Sequence, residues 1–229
     1  EQIMQRINMF SGKLYMEFGG KIFDDLLNGE KLPYKYDDPS YCNMCEFVYD
    51  EFGNETEYKE YHINDLFEAS LLSWEKAEYD SRGNIILLKE CDDNGDVYLY
   101  EDTYAVIRNE YNHRGDKITL EFLDVDMQLT QYLRFSVVKM EYNFMGKVTK
   151  KTRLDYNREL ISSRTTGLPA VLTYEYDHQG KLICEMYYDE NNNLFAEDDG
   201  VAKIEYLYDS FGNSTTIKYD ENGNVITKE

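Results

Sequence analysis

Three prolines and 14 glycines are too few for a collagen-like or low-complexity chain. Cysteine is equally sparse. Cys42, Cys45, Cys91 and Cys184 lack the paired spacing of a secreted disulfide framework. No apolar run approaches the roughly 18 residues that span a membrane, and no charged-then-apolar leader opens the chain. The first residue is Glu, as expected of a chain whose true start has been cut away. Positive charge is scarce: 24 Lys and Arg against 45 Asp and Glu leave a net charge of −21. That surplus repels nucleic-acid phosphates and anionic bilayers, so neither is an expected partner.

Tyrosine is abundant, with 22 residues, and aromatics reach 15%. A hydrophobic content of 42% supports a core, whereas acidic disordered tails are poor in aromatics. The tyrosines are periodic. A box Tyr-Asp/Asn-x-x-Gly-Asn/Asp/Lys begins at Tyr49, Tyr79, Tyr111, Tyr142, Tyr176 and Tyr208, at intervals of 30, 32, 31, 34 and 32 residues. A weaker marker follows each box by 11 or 12 residues, at Tyr61, Cys91, Leu123, Leu154, Tyr188 and Tyr219. The next residue is His62 in the first unit and Asp in the others: Asp92, Asp124, Asp155, Asp189 and Asp220.

The residues between these markers read as strands. Seven places after each box Tyr stand Thr56, Ile86, Ile118, Thr149, Ile183 and Thr215, all β-branched. Four and two places before it, positions such as Val138 and Met140 form an apolar stripe of period two, the signature of one buried strand face. Asp or Asn at a turn's first position with Gly at its fourth suits a type I turn followed by a left-handed bulge, which joins antiparallel strands. At the second turns Asn serves in part where the first turns use Gly. The expectation is a mainly β protein. Six tandem antiparallel β-hairpin repeats of about 32 residues build an extended twisted sheet over 41–229, each packed on its neighbours. An ordinary β-sandwich is the alternative.

Residues 1–40 leave the pattern and read as a short α/β segment. Ile3, Ile7 and Phe10 share one helical face, so a helix is expected over 2–10, ended by Ser11-Gly12 and followed by a strand from Lys13 to Phe18. Gly19-Gly20 reads as a turn, because it lacks the spacing of a nucleotide fingerprint. A helical insertion is expected at 64–76, capped by Asn64 and packing Leu66, Phe67, Leu71 and Trp74 on the sheet.

Chemistry is thin. Cys42-x-x-Cys45 has half the spacing of a zinc or redox site but no second half. Cys45 and Cys91 fill apolar repeat slots. His62, His113 and His178 occupy turn positions and are expected to be solvated. No nucleophile, base and orienter can be nominated, so neither an enzyme nor a cofactor is expected. The metal alternative is calcium at Asp92, Asn94 and Asp96 and the similar turns from Asp124, Asp189 and Asp220. Counting from Asp92, however, positions six and twelve are Val97 and Thr103 where a helix-loop-helix site wants Gly and Glu.

The box resembles the YD repeats of rearrangement-hotspot (Rhs) and teneurin-like proteins across roughly 41–229. It also resembles shorter bacterial proteins with units like Asp199-Gly200-Val201-Ala202-Lys203-Ile204-Glu205-Tyr206-Leu207-Tyr208-Asp209. The resemblance implies a bacterial, non-catalytic β-ribbon or shell that holds a partner or toxin, although six repeats are too few to close a large shell. Residues 13–25 resemble the opening of a bacterial cytoplasmic family of unassigned function, which implies a shared N-terminal strand and a cytoplasmic setting.

The reading that follows is a non-catalytic repeat module binding a macromolecular partner, a basic protein by charge complementarity. Trp74, Tyr174 and Tyr206 are the candidate binding residues, since stiff aromatics with polar tips suit recognition. The alternatives are a glycan-binding surface using those rings and an enzyme with its site in residues 1–75. The last repeat ends without a polar cap, so self-association through sheet edges is expected.

Overall fold

The computed structural model describes residues 4–9, 12–18, 44–63 and 69–228. Gly19, Gly20, Cys42 and Asn64 lie outside them, as do Leu66 and Phe67. The chain divides into two compact units, Glu1–Ile107 and Arg108–Glu229.

Among the described residues fifteen strands follow one another, paired antiparallel in the order of the chain. The first pair is β1 (Met4–Met9) and β2 (Gly12–Phe18). Six box hairpins follow, the first three being β3 (Met44–Tyr49) with β4 (Glu55–Ile63), β5 (Ala69–Tyr79) with β6 (Ile85–Glu90), and β7 (Val106–Tyr111) with β8 (Lys117–Leu123). The next three are β9 (Val137–Tyr142) with β10 (Val148–Leu154), β11 (Val171–Tyr176) with β12 (Leu182–Tyr188), and β13 (Lys203–Tyr208) with β14 (Ser214–Tyr219). β15 (Val225–Lys228) completes the order.

Two expected helices are strands. Residues 4–9 pair with β2 in the register Met9↔Gly12, so they are strand and not helix. A helix of nine residues is marginal in water, whereas cross-strand pairing satisfies the backbone at once. The insertion at 64–76 is strand from Ala69 onward, with Lys59 opposite Trp74 and Tyr58 opposite Glu75. β2 also pairs β3, with Tyr15 opposite Phe47, so the N-terminal hairpin continues the repeat ladder.

The box turn is built as its residues require. Asp50 Oδ1 accepts the N–H of Phe52 and of Asn54, both at 2.9 Å, and Gly53 takes φ +87°. The same pattern recurs from Asp80, Asn112, Asn143, Asp177 and Asp209. The register then slips by one residue at Thr56, Ile86, Thr149 and Ile183, so the β-branched position is a bulge in these four hairpins, whereas Thr215 pairs directly with Leu207.

The box tyrosine reaches the preceding hairpin. Tyr79 Oη donates to the carbonyl of Glu55 at 2.5 Å, Tyr142 to Lys117 at 2.7 Å, Tyr176 to Val148 at 2.8 Å and Tyr208 to Leu182 at 2.8 Å. Each acceptor lies six places after the preceding box tyrosine, and those of Glu55, Val148 and Leu182 adjoin a bulge.

Burial differs from the expected stripe, most of which is half-buried. Ala105, Ser136, Ala170 and Ala202, six places before their box tyrosines, are 0% exposed. Each bridges two hairpins: Ala170 donates to Tyr188 O and accepts from Arg153 N, both at 2.8 Å. The repeat closes with the second turn, a short return segment and a third turn, as in the bridges Tyr188↔Leu194 and Ser163↔Leu168.

Removing one tyrosine hydroxyl should therefore loosen a single joint. Tyr176→Phe is expected to lower unfolding free energy by about 1 kcal/mol in urea titration. An unchanged midpoint would remove the hydroxyl from the account of how hairpins are joined.

Candidate functional site

Trp74 lies half-buried on β5. Lys59 Nζ is 4.0 Å and Lys76 Nζ 4.3 Å from the ring centre, and the indole N–H donates to Glu57 Oε2 at 3.1 Å. Gly95 fits against the ring edge: a Cβ there would stand 2.7 Å from Cη2. The indole is a half-buried cation–π element beside two ammonium groups.

Tyr174 and Tyr206 belong to the other unit. Tyr174 packs on the buried cluster of Leu172, Tyr187 and Val201, and Lys151 Nζ lies 5.9 Å from its ring. Burial, then the charge of Glu185, pushes its hydroxyl pKa upward. Tyr206 donates to Glu185 Oε1 at 2.5 Å and lines a shallow groove of 610 Å³ with Glu175, Asp177, Glu205 and Tyr208. Lys203 pairs with Glu205 at 2.7 Å inside that groove.

The proposed calcium ligands are turn residues. Asp92 Oδ1 accepts the N–H of Asn94 at 2.9 Å and of Asp96 at 3.0 Å, so those two present donors to the loop centre. At the box turn of Tyr142, Asn143 accepts from Met145 at 2.9 Å and Lys147 at 3.0 Å in the same pattern, so these hydrogen bonds need an acceptor and no charge. Among the described residues no group of three or more His, Cys, Asp or Glu is arranged to hold a metal.

The cysteines and histidines follow burial. Cys91 and Cys184 are buried, and desolvation raises both thiol pKa values, which keeps them protonated and inert. Cys45 Sγ is 3.4 Å from Tyr58 Oη. His113 and His178 are exposed at hairpin tips. His62 departs from expectation: it is on β4, opposite Ser70, and only 5% exposed. The first repeat has no second turn at this point, because β4 runs on to Ile63 and pairs with the long β5.

Sequence reading missed a row of carboxylates. Glu90 is 8% exposed and directly opposite Glu75, which in turn faces Tyr58. Desolvation, with the Glu75 charge second, pushes Glu90 up to about 7. Glu75 is also raised, by burial and then by Glu60 and Glu55. The turn acids move the other way: donation from the side chains of Asn54, Asn84, Asn213 and Asn224 lowers Asp50, Asp80, Asp209 and Asp220. Glu55, Glu57 and Glu60 were visible in the sequence, but which residues they face depends on the register between strands.

Depressed turn acids give stability that is present above the unfolded value near 4 and lost as pH falls through their folded values. Glu90 gives the opposite limb: its contribution is present below about 4 and lost as pH rises to about 7. Melting temperature should therefore peak between these limbs, and Glu90→Gln should raise it by several degrees at pH 8 while changing it little at pH 5. Equal shifts at both pH values would contradict the assignment. Gly95→Ala should destabilise more than Gly212→Ala in the same assay, because both carry positive φ but only Gly95 meets the Trp74 ring.

No protein-family model matches the chain, and no curated protein matches it. Among solved structures it is similar to the crystal structure of TcdB2-TccC3-Cdc42, at 14% identity and TM-score 0.28 over 79% of this chain and 12% of that one. It is similar at 13% identity and TM-score 0.28 to TcdB2-TccC3 without its hypervariable C-terminal region, over 96% of this chain and 13% of that one. TcdB2-TccC3-TEV matches at 11% identity and TM-score 0.22, over 99% and 17%. The chain thus spans less than a fifth of the length of these proteins. Among the described residues no helix is long and apolar enough to cross a membrane.

Proposed function

We propose that this chain is a non-catalytic β-repeat module that binds a basic protein partner. The observation that carries this reading is the acidic, tyrosine-lined groove of Glu175, Asp177, Glu205, Tyr206 and Tyr208, set in a chain of net charge −21. Its walls include Ile183 and Met186, so a Lys or Arg side chain would find carboxylates for its head and rings and methylenes for its stem. The wider surface carries the same sign, with Glu51, Glu78, Asp93, Asp126, Glu141 and Glu221 exposed. Opposite-charge steering would speed encounter and lapse with ionic strength.

The test uses the whole chain and a fluorescent octalysine peptide, read by anisotropy. Binding should weaken at least tenfold between about 20 and 200 mM salt. Glu175→Lys should weaken it more than Glu221→Lys, which alters the same net charge outside the groove. Equal effects of the two variants, or no binding at low salt, would sink the proposal.

A further inference from the structure

The repeat supplies its own control for finding a site, because the same position recurs at every unit. Ten places after the box tyrosine stand Lys59, Lys89, Glu121, Thr152, Met186 and Lys218, so Glu121 is the one carboxylate in that series. The fourth residue of the second turn is Gly95, Met127, Arg158, Asn192 or Gly223, all at positive φ. At Met127 and Arg158 the backbone holds φ +62° and +66° despite a full side chain, where glycine would be unstrained. Both side chains line one groove of 380 Å³, with Arg108, Glu121, Leu123, Leu129 and Tyr156.

Charge in this groove has the opposite sign to the protein. Glu121 is 5% exposed and accepts from Arg158 Nη2 at 2.7 Å, while Arg108 Nη1 lies 3.5 Å from its other oxygen. Two guanidinium groups against one carboxylate leave one positive charge. The Arg108 and Arg158 side chains remain 38% and 50% exposed, so donors not used by Glu121 face outward. Leu123 is buried beneath them, and Tyr156 stands 56% exposed at the rim. One surplus charge suits a monoanion, planar guanidinium suits a carboxylate, and the leucines, Met127 and Tyr156 suit an apolar body. The volume falls within the range of small-ligand sites.

We infer that the groove of Arg108, Arg158, Glu121, Met127 and Tyr156 is a binding site for an apolar carboxylate. Glu121 fixes the two guanidinium groups in place, and their outer N–H groups take the ligand carboxylate. The same chemistry is presented by a small organic acid and by the free C-terminus of a peptide ending in a hydrophobic residue.

The experiment is an NMR titration of the whole chain, following the side-chain Nε–H signals of Arg108 and Arg158. N-acetyl-leucine and the peptide N-acetyl-Gly-Gly-Leu, both as free acids, should give saturable shifts, and their amides should not. Tenfold tighter binding of the peptide would identify a chain terminus as the source, and equal binding a small acid. Arg158→Gly places in this turn the residue that Gly95 and Gly223 already use, and should weaken binding at least tenfold. Tyr156→Ser, at an exposed position, should weaken it without disturbing the fold and decides the matter if Arg158→Gly does not fold. Equal shifts from acid and amide, full binding by Tyr156→Ser and Arg158→Gly, or no saturable shift at all would overturn the inference.

Discussion

A hairpin on its own is marginal in water, and what makes these hairpins a protein is the joint between one and the next. The box tyrosine is central to that joint. Its backbone ends a strand just before the turn, its ring covers the neighbouring strand, and its hydroxyl reaches a carbonyl six places after the preceding box tyrosine, as Tyr142 does to Lys117 and Tyr176 to Val148. Phenylalanine would keep the ring and lose the reach. The Asp-led turn and the β-branched bulge set the distance, so the three parts of the box act as one device.

The second joint is a small residue. Ala105, Ser136, Ala170 and Ala202 are fully buried, and Ser136, Ala170 and Ala202 each bond to backbone on both sides. These positions share the period of the tyrosines and were legible in principle. Alanine and serine carry no hydropathy signal strong enough to stand out, so a search for apolar stripes passes over them. The turns were legible because Gly and Asn are selected by a local backbone conformation. The strands at 4–9 and 69–79 were not, because nine residues spaced three and four apart look helical until a partner strand is supplied. His62 was misplaced for a related reason: a turn slot was inferred from the repeat, and the first repeat runs on as strand.

Site residues were less legible than the fold. Trp74, Tyr174 and Tyr206 were selected as large aromatics, and each is held by a partner that only the register reveals: two lysines, a buried cluster and Glu185. The Glu75–Glu90 pair and the Arg108–Glu121–Arg158 triad join residues 13 to 50 places apart in the chain. Such pairs carry no local signal. They emerge when a repeat is compared with itself and the odd residue at a common position is asked what it faces.

Because Tyr79, Tyr142, Tyr176 and Tyr208 each bond to the hairpin immediately before, these joints have no memory beyond one unit. Gain or loss of a whole unit of about 32 residues leaves every remaining joint with its proper partner. Gain or loss of one residue inside a strand would instead turn its side chains to the other face and strand the hydroxyl. The architecture is thus tolerant of duplication and intolerant of slippage, a combination under which chain length can drift in steps of one repeat while the surfaces of individual units diverge to new ligands.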